Sequence, residues 1–129
     1  MNKENKIMAK ATLMEFLHHA LITEQDDSPI VAVAADALAI PVTHPYVSKT
    51  TGGDAEALTL ANGLPGQVLG IELATDGGGD GTLTPVTAQG WATIVFADAG
   101  DKAVLMYVDD TVGWIIIGLH GKVQPPVHT

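Results

Sequence analysis

From Tyr46 onward, clusters of turn residues cut the chain into short β-prone runs about every ten positions, a spacing that suits strands and is too tight for helices. The runs are YVSKT (46–50), EALTL (56–60), QVLGIELA (67–74), GTLTPV (81–86), ATIVFA (92–97), AVLMYVD (103–109) and VGWIIIGL (112–119). Between them lie TGGD, ANGLPG, TDGGGD, AQGW, DAGDK and DDT, rich in the residues that supply positive φ or bond their own backbone. The pattern predicts an all-β domain over residues 46–129, folded as an antiparallel β-sandwich or jelly-roll. Alternation of Leu69, Ile71 and Leu73 with Val68, Gly70 and Glu72 leaves one face dry. Ile94, Phe96, Leu105, Tyr107, Ile115 and Ile117 are expected to join those leucines and isoleucine inside, although the III run hides its own phase. Only 5% of residues are aromatic, so Ala, Val, Leu and Ile must fill the core. No repeat of fixed period is visible.

Residues 1–45 read as an N-terminal arm and connector. Thr12 and Glu15 form a capping box, and Leu13, Met14, Leu17, Ala20 and Leu21 then fall on one face at helical spacing. The helix is expected to stop by Asp26-Asp27-Ser28-Pro29. Ile30 to Pro45 is Ala-rich and broken by Pro41, which suggests an extended connector with room for one short strand. The stripe of Leu13, Met14, Leu17 and Leu21 is unfavourable in water and needs a cover. That cover is either its own β domain or a partner surface. The sequence favours the partner, with Lys3, Lys6 and Lys10 meeting acidic groups there.

The net charge of −9 and the absence of arginine narrow the partners. Proteins that grip phosphate backbones cluster Lys and Arg. Beyond Ala11 this chain has only Lys49, Lys102 and Lys122, far apart in sequence, so nucleic acid is excluded as a partner of the main domain. An acidic surface likewise disfavours anionic membranes. There are no cysteines, hence no disulfides, thiolate metal sites or Cys nucleophiles. The apolar stretch 29–41 is short and interrupted by Asp36, which is wrong for a membrane span. The expectation is a chain that stays in the cytoplasm or in an assembly formed there.

The residues that might carry chemistry have simpler explanations. His18, His19, His44, His120 and His128 show no metal-ligand spacing. Asp76 and Asp80 in DGGGD resemble one fragment of a calcium turn, but a lone copy without a bidentate Glu fits a glycine loop better. Asp98, Asp101, Asp109 and Asp110 sit where Asp favours turns. Serine occurs only at Ser28 and Ser48, and no nucleophile or phosphate-loop motif is present. Trp91 and Trp114 are expected in the core; exposed, they would offer a glycan-stacking platform. No catalytic residue, metal or cofactor is expected.

Between Lys49 and Gly121 three marks recur as a unit: Gly63, Gly66 and Gln67 before a strand; Leu83, Thr84 and Pro85 after a glycine loop; and Gly113, Trp114, Ile116 and Gly118 in the closing strand. Together they resemble a β module of structural proteins in tailed bacteriophages. With a short arm, the whole resembles a head decoration, or capsid cement, protein. That resemblance implies a non-enzymatic virion protein on the capsid surface. It also implies a homotrimer that binds the major capsid protein and stabilises the shell. Tail and head-fibre proteins share similar modules and form the alternative.

Overall fold

The computed structural model describes residues 28–121, which fold as an all-β unit of two mixed sheets without a helix. In chain order the strands are β1 (Ile30–Val33), β2 (Ala39–Ile40), β3 (Tyr46–Thr50), β4 (Glu56–Leu60), β5 (Val68–Thr75), β6 (Gly81–Pro85), β7 (Ile94–Phe96), β8 (Lys102–Tyr107) and β9 (Trp114–His120). One sheet has five strands in the order β1-β3-β5-β8-β9, the other four in the order β2-β4-β6-β7. All seven runs anticipated from Tyr46 onward are strands, with ends displaced by a residue or two. The helical arm expected over residues 12–22, with Leu13, Met14, Leu17, Leu21, Lys3, Lys6 and Lys10, lies outside the described residues.

The expectation of purely antiparallel pairing is corrected. β1–β3, β3–β5, β2–β4 and β4–β6 are parallel; only β5–β8, β6–β7 and β8–β9 are antiparallel. Through β6 the chain alternates between the sheets, so it winds as a flattened coil. Parallel neighbours need a crossover between them, usually a helix. Here the crossover is a strand of the opposite sheet, and turn spacing alone cannot distinguish that from a series of hairpins. The coils differ in length: Ile30 pairs with Tyr46, and Tyr46 with Gly70. That inequality removes any fixed period.

The Ala-rich stretch before Tyr46 is not merely a connector. It supplies the outermost strand of each sheet, β1 and β2, and the β unit therefore begins at Ile30 rather than Tyr46. Between the strands, Ala37 N–H donates to Ala34 C=O and Asp36 takes a left-handed φ of 68°. Short edge strands such as these, bounded by Pro29 before β1 and Pro41 after β2, limit open-edge pairing.

Leu69, Ile71, Leu73, Ile94, Phe96, Leu105 and Tyr107 are buried between the sheets as anticipated, joined by Val47, Leu58, Leu60, Leu83, Trp91 and Trp114. Ile115 and Ile117 are not inward. Trp114 faces Tyr107 across the ladder, Ile116 pairs with Leu105 and packs on the core, and the register shift between Val104 and Leu105 leaves Ile117 opposite no partner. Ile117 is consequently 57% exposed.

Candidate interaction surface

The buried polar groups of the described residues are occupied in holding loops. Lys49 points inward from β3 and donates to Ala34 C=O at 2.8 Å and Ala37 C=O at 2.7 Å. Its third contact is the carboxylate of Glu56 on the opposite sheet, at 2.7 Å. Glu56 also accepts from Gly52 N–H at 2.6 Å. The hydrogen bond from Lys49, assisted by backbone donors at Gly52 and Asp36, holds its carboxyl below the usual carboxylate range despite burial.

The aspartates behave as turn residues. Asp101 is buried and accepts from the N–H groups of Ala97 and Asp98, both at 3.0 Å. Asp109 accepts from Thr111 and Val112 N–H, and Asp110 accepts from the Tyr107 hydroxyl. Burial, followed by that carboxylate, pushes the Tyr107 phenol up to about 12. Tyr46 donates to Glu72 and is raised to about 12 in the same way.

DGGGD is a packing device. A Cβ at Gly77 would lie 2.2 Å from Thr51 C=O, and one at Gly79 would lie 1.9 Å from Asp54 C=O. The two glycine loops, 51–54 and 76–80, thus lie backbone against backbone, fastened by Gly79 N–H to Gly52 C=O at 2.9 Å. Positive φ, the reason expected from sequence, applies to Gly78 alone within 76–80. Asp76 accepts from Gly78 N–H. Among the described residues no group of three or more His, Asp or Glu is placed to hold a metal ion.

Trp91 and Trp114 do not form a stacking platform. They are 2% and 0% exposed, with Trp91 Nε1 donating to Trp114 C=O and Trp114 Nε1 to Ala61 C=O. The glycan alternative therefore loses both residues on which it rested. An open depression of about 560 Å³ lies between Val42, Thr43, Asn62, Gly63, Leu64 and Gln67. The Gln67 amide in it is already engaged, accepting from Leu64 N–H and donating to Val42 C=O. His44 sits beside Thr43, and His120 ends β9 on a sheet edge, so these two do not converge.

The two outward faces differ in chemistry. Residues paired across a ladder share a face. On the five-stranded sheet one outward row runs Ile30, Tyr46, Gly70, Val104 and Gly118, and the next Val68, Met106 and Ile115. Ile30, Val68 and Val104 are exposed there, while Tyr46 lies over Gly70, where a Cβ would meet its ring at 2.8 Å. Glu72 and Lys102 form a charged row beside them. The four-stranded sheet instead turns Ala57, Thr59, Thr82, Thr84 and Val95 outward. Burying an apolar face against a protein surface is favourable, so the five-stranded face is the candidate interaction surface. Sequence reasoning missed it because it concentrated on the buried half of each alternation.

No family model matches the chain, and no curated protein sequence matches it.

Proposed function

We propose that this chain is a structural protein of a tailed-phage virion that decorates and stabilises the capsid from outside. It would bind the major capsid protein as a homotrimer and perform no catalysis. One observation chiefly supports this reading: two marks of the resemblance that are distant in sequence, Gly63 with Gln67 and Trp114, pack against each other, and the third pairs with the strand that leads into Gly63. Gly63 has no room for a Cβ, because Gln67 Oε1 would lie at 2.5 Å and the Trp114 ring at 2.9 Å. Gln67 ties Leu64 to Val42, and Trp114 reaches Ala61 through its indole N–H. Pro85 stands opposite Leu60, and Val86 N–H donates to Leu60 C=O. The motifs thus define a rigid β module, which is what a cement protein needs to bridge neighbouring shell subunits through many weak contacts.

The charge supports the same reading. An acidic domain suits an outer surface remote from packaged DNA. Lys3, Lys6 and Lys10 are the cationic groups assigned to the shell. Quantifying the chain in purified full heads tests the proposal. Copy numbers comparable to the major capsid protein are expected; a few copies per particle would place it in a tail or fibre, and absence from particles would overturn the reading.

A further inference from the structure

We propose that Asn62 and Gly63 form a self-modifying pair, in which Asn62 deamidates through a succinimide and leaves an aspartyl or isoaspartyl link in the loop after β4. The reaction takes only water and requires nothing of the capsid reading.

Packing fixes the glycine half of the pair. A Cβ at Gly63 would meet Gln67 Oε1 at 2.5 Å and the Trp114 ring at 2.9 Å, so residue 63 must lack a side chain. Such a residue leaves its backbone nitrogen unshielded and its dihedrals permissive. The asparagine half is exposed, at the rim of the depression it shares with Val42, Thr43 and Leu64. Of the asparagines Asn2, Asn5 and Asn62, it alone precedes a glycine.

The bonding of the loop leaves the pair free to react. β4 ends at Leu60. Ala61 C=O accepts from Trp114 Nε1, and Leu64 N–H donates to Gln67 Oε1, both at 2.9 Å. Between these two anchors, and among the described residues, no hydrogen bond engages the Asn62 carboxamide or the Gly63 N–H. The comparable pairs are restrained. Gly77 N–H donates to Thr51 Oγ1 while Asp76 accepts from Gly78 N–H, and Gly81 belongs to the β6 ladder. Asp76 and Asp80 also carry carboxylates, which are poorer electrophiles than a carboxamide. Gln89, before Gly90, would have to close a six-membered ring, which is slower.

The chemistry balances with water alone. Hydroxide removes the Gly63 amide proton, and that nitrogen attacks Asn62 Cγ. The new N–Cγ bond closes a five-membered imide, and the side-chain nitrogen leaves as ammonia with a proton from water. Water then opens the ring. Breaking the N–Cγ bond gives aspartate at position 62, and breaking the bond from nitrogen to the main-chain carbonyl carbon gives an isoaspartyl link. The isoaspartyl link lengthens the backbone by one methylene. Gly63 sits in a slot without spare room, so the added carbon pulls it away from Trp114, the residue that anchors β9. Aspartate at 62 keeps the backbone and adds only a charge at an exposed position.

Peptide mapping by mass spectrometry of the full chain, held warm at mildly alkaline pH, tests the proposal. The Asn62 peptide should turn into acid products, isoaspartyl in excess, at a rate within about tenfold of that in the urea-unfolded chain, since a loop outside the strands opens at little cost. Reaction slower than that margin, or no faster than in the Asn2 and Asn5 peptides, overturns the proposal. Asn62→Gln should leave this peptide unmodified; acid products forming in it at the unchanged rate would place the chemistry elsewhere and also overturn it. Thermal unfolding reads the consequence. The isoaspartyl fraction should melt several degrees below Asn62→Asp, which should melt with the untreated protein. Equal melting of the isoaspartyl fraction and Asn62→Asp overturns the displacement of Gly63. No capsid enters these measurements, so failure to bind heads bears only on the proposed function.

Discussion

Lys49 Nζ and Glu56 Oε1 meet at 2.7 Å between the two sheets, with both side chains shut off from water. Lys49 belongs to β3 of one sheet and Glu56 to β4 of the other. The same ammonium holds the carbonyls of Ala34 and Ala37, and the same carboxylate holds Gly52 N–H. One ion pair therefore fixes the first crossover of the coil, the β3–β4 loop and the spacing of the sheets at that end. Desolvation largely offsets the Coulombic gain of such a pair, so its effect appears when one partner is lost.

Replacing Glu56 by Gln, or Lys49 by Met, is expected to destabilise the fold by about 3 kcal/mol, because each leaves a buried group uncompensated. The double replacement should cost less than the sum of the two singles. Urea unfolding of all three variants measures this; additive losses would show that the two residues act independently.

Stability should fall at both ends of the pH range, for different residues. Glu56 has a lowered folded-state value, so its contribution is complete above its ordinary 4.5 and is lost as pH drops through the depressed value. Tyr46 and Tyr107 have raised values near 12, so their contribution is complete below the ordinary 10.0 and is lost as pH rises from there through 12. A urea midpoint followed across pH should show an acid limb that Glu56→Gln flattens. Its alkaline limb should be reduced by Tyr46→Phe. An alkaline limb identical in the Phe variant would remove Tyr46 from this account.

The strands after Tyr46 were readable because each run alternates, or is bounded by residues that only turns favour. Their pairing was not. Alternation fixes which residues face inward and says nothing about whether a neighbour runs parallel, and here the crossovers are strands of the other sheet. The connector over Ile30 to Pro45 was expected to hold one short strand and holds two, because Ala and Pro weaken the local β signal while pairing to β3 and β4 supplies it from outside. The outer face of the five-stranded sheet was hidden for a related reason. Val68 and Val104 look like ordinary solvent-side positions until the register places Met106, Tyr46 and Ile30 beside them.

The glycine loops make a graded prediction. Gly79→Ala and Gly77→Ala force a Cβ into backbone carbonyls and should destabilise by several kcal/mol, on the order of the larger strain and overpacking losses. Gly66→Ala and Gly90→Ala meet nothing within 4 Å but require positive φ, so about 1 kcal/mol is expected. Gly118→Ala has neither obstacle and should be neutral or stabilising by up to about 1 kcal/mol. Thermal unfolding of the five variants should follow this order. A Gly79→Ala protein as stable as Gly66→Ala would mean that the loops separate easily.

The phase of the III run is testable one residue at a time. In an unbroken strand Ile115 and Ile117 share a face and Ile116 takes the other, and sequence gives no reason to choose between the faces. The structure settles the choice through Trp114. Its ring is buried edge-on against Tyr107, with centroids 5.2 Å apart, and its indole N–H is bonded to Ala61 C=O, so the strand cannot rotate by one position without breaking both contacts. Ile116 therefore follows Trp114 inward, and Ile117, which the register shift leaves without a partner on β8, lies on the exposed side. Ile117→Lys should change stability by no more than about 0.5 kcal/mol, as at an ordinary surface position. Ile116→Lys places a charge against the core and should cost at least about 2 kcal/mol, unless its stem can carry the ammonium to the sheet edge. Ile115→Lys should fall between the two, since Ile115 is half-buried beside Met106 on the outer face. If Ile117→Lys proved the most damaging of the three, the strand would have the opposite phase, and the apolar outer face would lose its β9 border.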